Sequence, residues 1–283
     1  MIQVSNFACG GIAIGVLISH MIADGTAMSV FLKGWATTAY KTREAICPNF
    51  DAPSIFIQND GYGREGTYTS LFSPFFKSGR FVSRRIVFDA SVIASLGAKA
   101  TSPSVQNPTR VEVVSALLWK CIMAAFEATS GIRIPTFIVQ AVNFRRRAVP
   151  PFSESSMGNL VWTTCAAEEE IELPDTHCEL LKAKVRECAS AASSSGINYI
   201  AFTSWCNFGH CDIDFAWGKP MWVSSIGLSG DSEGVLSNLG VLMDTISGDG
   251  IEAWALLDKE DMDALGQDKE LLAFASLDPS PIN

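Results

Sequence analysis

His20 and Asp24 stand in the run His20-Met21-Ile22-Ala23-Asp24-Gly25, a histidine and a carboxylate four residues apart with a glycine directly behind them. Histidine suits general-base work, because its ordinary pKa of about 6.5 lets it take a proton from an alcohol or amine near neutral pH. Asp24 is too close in sequence, on too tight a turn, to be assumed a relay partner. It could equally anchor the turn by pairing with an arginine elsewhere. H-x-x-x-D alone is a short pattern that matches by chance, and its plain alternative is a buried, satisfied histidine followed by a helix N-terminal aspartate.

The elements that must position this pair lie on either side of it. An apolar run, Ile12 to Ile18, reads as a buried strand and leads into His20. Behind Gly25, the residues Met28, Phe31, Leu32 and Trp35 recur at helical spacing, so a helix is expected from Gly25 to about Tyr40. Strand, tight turn and helix put His20 at a strand exit, where sites tend to gather. In front, Ile2 to Phe7 reads as extended, with Gly10 and Gly11 turning a hairpin.

The chain has 283 residues, 48% of them hydrophobic and 18% charged, which calls for a sizeable core and argues against disorder. A net charge of -9 opposes nucleic-acid binding, because phosphate contacts need clustered Lys and Arg. The eight cysteines form no C-x-x-C, which fits reduced thiols in a cytoplasmic protein. Cys206, His210 and Cys211 match no common zinc spacing. No secretory signal is convincing, and no apolar run reaches the roughly 20 residues of a membrane span.

Further along, residues 50–80 are broken by Pro53, Gly61, Gly63, Gly66, Pro74 and Gly79 and read as a crossover linker. Strands are expected at Phe81–Phe88, Thr136–Asn143, Leu160–Cys165, Tyr199–Cys206, Met221–Ser224, Val241–Thr245 and Ile251–Leu257. Helices are expected over Ile93–Lys99, capped by Asp89 or Ser91, over Val111–Thr129, capped by Thr109, over Cys178–Ser190, and over Lys259–Leu265, capped by Asp258. Arg145, Arg146 and Arg147 follow a strand end; they could hold an anion, or one could pair with Asp24.

A second tract, Asp214-Phe215-Ala216-Trp217-Gly218-Lys219-Pro220, completes a pattern. With His20 to Gly25, and in this order, it resembles the H-x-x-x-D-G and D-F-G-W-G motifs of the plant BAHD acyltransferases, of the vinorine-synthase-like kind. Asn107 to Arg110, Asn143 to Pro151, Gly158-Asn159 and Thr203-Ser204-Trp205 look like further family features, so the resemblance extends over nearly all of the chain.

The resemblance implies an α/β (α+β) fold of two chloramphenicol-acetyltransferase-like domains, mixed sheets with flanking helices. Residues 1–49 would be the remnant of the first domain and 50–80 the linker. Residues 81–213 and 239–283 would form the second domain, and 214–238 would return to the first. The implied reaction moves an acyl group, acetyl or similar, from acyl-CoA as co-substrate to a hydroxyl or amine of a plant specialised metabolite, with no metal and no permanently bound cofactor. His20 would be the general base and Trp205, an N–H donor only, would serve the oxyanion. Thr203 would contact substrate. Asp24, Gly25, Arg145, Asp214, Phe215, Trp217 and Gly218 would be structural, Arg145 as the arginine that pairs with Asp24. Arg145, Arg146, Arg147 and Lys219 are the candidates for a local attraction to CoA.

Two departures stand out. Ala216 replaces the family's usual glycine, which strains the turn if that position needs a positive φ. Only nineteen residues precede His20, whereas the family carries a long segment there, so an incomplete first domain is expected. The family implies a monomer with no membrane or nucleic-acid partner, and a shortened front would favour self-association through exposed sheet. The competing reading is an inactive relic that at most binds CoA or a protein partner. A third, peptide condensation, would want two adjacent histidines, and Ser19 stands at the first of those positions.

Overall fold

The structure, a computed structural model, describes residues 1–40, 46–55, 76–166, 198–225 and 229–280. The chain divides into two compact units. The first is Met1–Gln58, Asn143–Trp162 and Phe208–Pro220; the second is Asn59–Val142, Thr163–Asn207 and Met221–Asn283. The resemblance implies that 143–162 belongs to the domain that starts at Phe81, whereas here that stretch packs with the first unit. Hydrogen bonds to the His20–Asp24 loop, detailed below, are the physical reason.

In unit one, β1 (Ile2–Asn6) and β2 (Ile12–Val16) form an antiparallel ribbon with Ile2 opposite Val16. Gly10, at φ +84°, turns it. Then come α1 (Gly25–Tyr40) and the short α2 (Ala52–Ile55). The expectation of a buried strand before His20 is corrected here. Among the described residues β1 and β2 pair only with each other, and Ile12 and Leu17 stay exposed. The buried side chains of unit one are unusual. The apolar ones are Ala23, Ala27, Ala36 and Leu160, while the polar ones include Asp24, Thr26, Ser29, Arg145 and Ser156. Directional polar contacts, rather than large apolar side chains, fill this interior.

Unit two has the larger apolar core. Its sheet runs in the order β10-β3-β9-β8-β6-β4-β5, with β7 also paired to β3. The strands are β3 (Phe76–Phe88), β4 (Thr136–Asn143), β5 (Val161–Ala166), β6 (Asn198–Ser204), β7 (Ser229–Leu236), β8 (Leu239–Asp244), β9 (Ile251–Asp258) and β10 (Ser276–Leu277). The pairs β4–β6 and β6–β8 are parallel, while β8–β9 and β9–β3 are antiparallel. β9 shows period-two alternation: Ile251, Ala253, Ala255 and Leu257 are buried in one cluster with Val114, Leu118 and Ile122. Those three belong to α4 (Arg110–Ser130), which follows α3 (Ala90–Ala100). A capping box between Thr109 and Glu112 starts α4, and Gly131 in the left-handed region ends it. α5 (Lys259–Leu265) is capped by Asp258, and α6 (Lys269–Phe274) by Asp268.

Several expectations shift. Met221–Ser224 is not a strand; Trp222 instead lies 5.8 Å from Trp254, with the Arg85 guanidinium 5.5 Å from its ring. β3 starts at Phe76, inside the expected linker, and β6 ends at Ser204. Asp89 occupies the cap position of α3 without a side-chain cap bond. The expected helix at Cys178–Ser190 lies outside the described residues.

Candidate active site

Within unit one, the loop from Leu17 to Asp24 carries His20 from β2 to α1. Its far end is tightly held. Asp24 is 1% exposed and Arg145 0% exposed, so both charges are taken fully out of water. Arg145 Nη1 donates to Asp24 Oδ2 at 2.8 Å, and Nη2 donates to Oδ1 at 3.1 Å. The carboxylate also accepts the Ala27 N–H at 2.8 Å, which caps α1, and the Leu160 N–H at 2.9 Å. Four donors therefore occupy its two oxygens. The guanidinium also donates to the Ser156 carbonyl, from Nε at 3.2 Å and Nη2 at 2.8 Å, and at longer range to Asn143 Oδ1 and the Gly158 carbonyl. A buried ion pair is tolerated only when hydrogen bonds satisfy the remaining valences, as they do here. Asp24 is thus an anchor of the loop, and no lone pair is left to serve a histidine.

His20 itself is exposed, and its ring has no hydrogen-bond partner among the described residues. Its carbonyl accepts the Asn159 side-chain amide at 2.7 Å. Thr26 Oγ1 accepts from Asn143 Nδ2 at 3.1 Å, tying the first turn of α1 to the same 143–160 stretch. Gly25 is the first residue of α1.

The Asp214 tract also belongs to unit one. Asp214 Oδ1 accepts the N–H groups of Ala216 at 2.9 Å and Gly218 at 3.0 Å, folding the tract over its own carboxylate. Phe215 packs edge-on against Trp35 of α1 at 4.8 Å, and Trp217 is largely exposed. Ala216 sits at φ +73° and Gly218 at φ +100°. A methyl group in the left-handed region costs about 1 kcal/mol. Ala216→Gly is therefore expected to raise the stability of unit one by about that amount, read as a higher unfolding midpoint; an unchanged or lower midpoint would count against the strain.

The basic side chains considered for CoA are all engaged. Arg145 is buried on Asp24. Arg146 pairs with Glu154 at 2.5 Å, and Arg147 donates to the Asn143 carbonyl at 2.9 Å. Lys219 pairs with Asp212 at 2.7 Å and holds that carboxyl below its ordinary range, both on the surface. Arg145 is excluded from contact with a solvent-borne anion by its burial.

Thr203 and Trp205 belong to unit two. Thr203 lies on β6 opposite Val241 of β8, and the Trp205 N–H donates to the Leu242 carbonyl at 2.7 Å just past the strand. The next residues are fixed in turn. The Asn207 N–H donates to Asp244 Oδ2 at 2.6 Å, and Arg110, at the start of α4, holds Asp244 Oδ1 at 3.2 Å. Beneath them, Gly240 admits no side chain: a Cβ there would lie 2.5 Å from the Phe202 ring. Burial pushes the Cys206 thiol up to about 11, so it supplies no thiolate nucleophile at neutral pH. Among the described residues, no three His, Cys, Asp or Glu side chains are grouped to hold a metal.

Leu160, Ser156 and Asp244 are groups whose part is invisible in local pattern, and Asn159 stands in the sequence only as a family feature with no role attached. Each acts through a partner more than ten residues away or through its main chain, where hydrophobic periodicity carries no signal. Unit one also contains an apolar cleft of about 460 Å³, lined by Ile2, Leu17, Ile22, Ala27, Phe31 and Phe50 among others.

A sequence profile described as the transferase family matches residues 1–187 and 177–272. The limonoid 7-O-acetyltransferase of Citrus sinensis is 47% identical over 311 residues, covering 99% of this chain and 68% of that protein. The chain belongs to this family, the plant BAHD acyltransferases. The crystal structure of vinorine synthase superposes with a TM-score of 0.74 at 32% identity, covering 97% of this chain and 65% of that one. The BAHD fold is shared more widely: F. sporotrichioides TRI101, solved with coenzyme A and T-2, superposes at 0.69 with 18% identity, over 98% of this chain and 69% of that one. The chain spans about two thirds of the length of these relatives. Among the described residues, no helix is long and apolar enough to cross a membrane.

Proposed function

We propose that this BAHD chain is an acyl-CoA-dependent acyltransferase, moving an acetyl or similar group to a hydroxyl or amine of a plant specialised metabolite, with His20 as general base. The observation that carries the reading is the division of labour between the two motif residues. Asp24 spends both oxygens on four donors inside unit one, while His20, four residues earlier, keeps its ring at the surface and free of hydrogen bonds among the described residues. An imidazole left so is available to an incoming acceptor, and the loop that carries it is anchored at Asp24.

In the proposed step, the ring takes the acceptor's proton as the acceptor oxygen or nitrogen attacks the thioester carbonyl. The carbonyl oxygen gathers negative charge, which N–H donors must meet; the Trp205 indole is the proposed donor, and Thr203 a proposed substrate contact. The carbon–sulfur bond then breaks, and the CoA thiolate leaves and takes the proton that the His20 ring holds. Limonoid alcohols are the first acceptors to try, because the relative from Citrus sinensis is named for acetylating a limonoid at its 7-oxygen.

The competing reading, a family member without turnover, is favoured by the strained Ala216 at φ +73°. One experiment separates the two. Thermal unfolding with acetyl-CoA at about a hundred times its dissociation constant should add about 2.7 kcal/mol, a shift of a few degrees, and limonoid alcohols should then release free CoA thiol. No shift and no thiol would overturn the acyltransferase reading; a shift without thiol would leave the inactive binder.

A further inference from the structure

The tripeptide Gly158-Asn159-Leu160 runs beside the His20–Asp24 loop and touches it three times. The Asp24 N–H donates to the Gly158 carbonyl at 3.3 Å, and the Leu160 N–H donates to Asp24 Oδ2 at 2.9 Å. Between these two, Asn159 Nδ2 donates to the His20 carbonyl at 2.7 Å. Two contacts therefore serve Asp24, which Arg145 already holds. The third is the one that reaches His20.

The His20 end of the loop has little else. The Ile22 N–H donates to the Ser19 carbonyl at 3.1 Å and the Met21 N–H to Ser19 Oγ at 3.3 Å, both within the loop itself. The ring has no partner of its own among the described residues, so its direction is inherited from the backbone and its rotamer. Asn159, by contrast, is well supported. Leu160 is 2% exposed and its carbonyl accepts the Phe144 N–H at 2.9 Å. Gly158 stands at φ +115°, a conformation that side chains rarely adopt and that lets the chain present Asn159 between two contacts to Asp24.

We propose that Asn159 is a positioning residue: its amide, braced by Gly158 and Leu160, fixes the backbone from which the His20 imidazole projects. This inference rests on the reading of His20 as the base. It requires a donor at residue 159. An ionised aspartate there keeps the shape but turns a lone pair toward the carbonyl, so it loses the contact as fully as alanine does.

The test uses the full chain labelled at its histidine rings. The sequence has three histidines, His20, His177 and His210, and His20→Gln identifies the resonance of interest. In Asn159→Ala and Asn159→Asp, the His20 resonance should move or split while the other two stay in place. If the chain turns over, kcat should fall about tenfold or more, with KM for acetyl-CoA within about twofold, as a displaced base requires. A His20 resonance that superposes on the wild type in both variants would overturn the proposal. Loss of the folded state in both would also overturn it, by making Asn159 a folding residue. If the wild type shows no His20-dependent transfer, the base reading fails by itself, and the resonances still decide whether Asn159 positions the ring.

Discussion

His20→Gln is expected to lower kcat for acyl transfer by about 10²–10⁴-fold, the usual weight of general-base help, and to leave the unfolding midpoint essentially unchanged. Both halves follow from where the residue sits. The ring is exposed and makes no hydrogen bond among the described residues, so little packing is lost with it. Surface substitutions of this kind move stability by less than about 0.5 kcal/mol. The contact to Asn159 runs through the His20 carbonyl, which glutamine retains. The measurement is release of CoA thiol from acetyl-CoA in the presence of acceptor, beside a thermal melt of the same preparation. Undiminished thiol release would remove His20 from the mechanism. A lost activity with a lost fold would show that the histidine had been structural, the plain alternative to a base.

Much of the architecture was legible in sequence because it rests on periodicity and caps. The helix from Gly25 to Tyr40, the strand Thr136–Asn143 and the helix Lys259–Leu265 have the bounds that their patterns give. β7 and β10 were not legible: Ser229–Leu236 alternates poorly and contains two glycines, and a two-residue strand has no period at all. Met221–Ser224 reads as a strand because Met, Trp and Val suit one, but Trp222 is engaged by Trp254 and Arg85 instead. The run Ile12 to Ile18 reads as a buried strand because it is apolar throughout, yet burying it takes covering partners that no local pattern names.

The candidate site divides in the same way. Its histidine and aspartate lie in one short run, and the resemblance named Arg145, Thr203 and Trp205. Gly158-Asn159 belongs to the same resemblance but comes with no role attached, since an asparagine after a glycine looks like any turn. The Asn159 contact spans 139 residues and ends on a main-chain carbonyl, which every residue has. Side chains that act on backbone are the least readable part of a site, because the partner contributes no identity to the sequence.

Arg145→Met is expected to be the most damaging single change to unit one, costing about 3–5 kcal/mol, because it leaves the Asp24 carboxylate buried with its counter-charge removed. Ala27 and Leu160 would still donate to Asp24, but neither carries charge. Unit one has little apolar burial to absorb the loss: its buried apolar side chains are three alanines and Leu160, among the described residues. Unit two keeps its own core around Ile86, Phe88, Leu118 and Leu257, so the melt should separate into two steps with only the first moved down. Hydrogen exchange would show the same division, with early loss of protection at Ala27 and Leu160. Adding Asp24→Asn to Arg145→Met should recover part of the loss, since a neutral amide is far cheaper to bury than a lone carboxylate. A single cooperative melt with an unchanged midpoint in Arg145→Met would mean that the pair is dispensable. The anchoring of the His20 loop would then have to rest on the Asp24 cap of α1 and on the contacts from Gly158, Asn159 and Leu160.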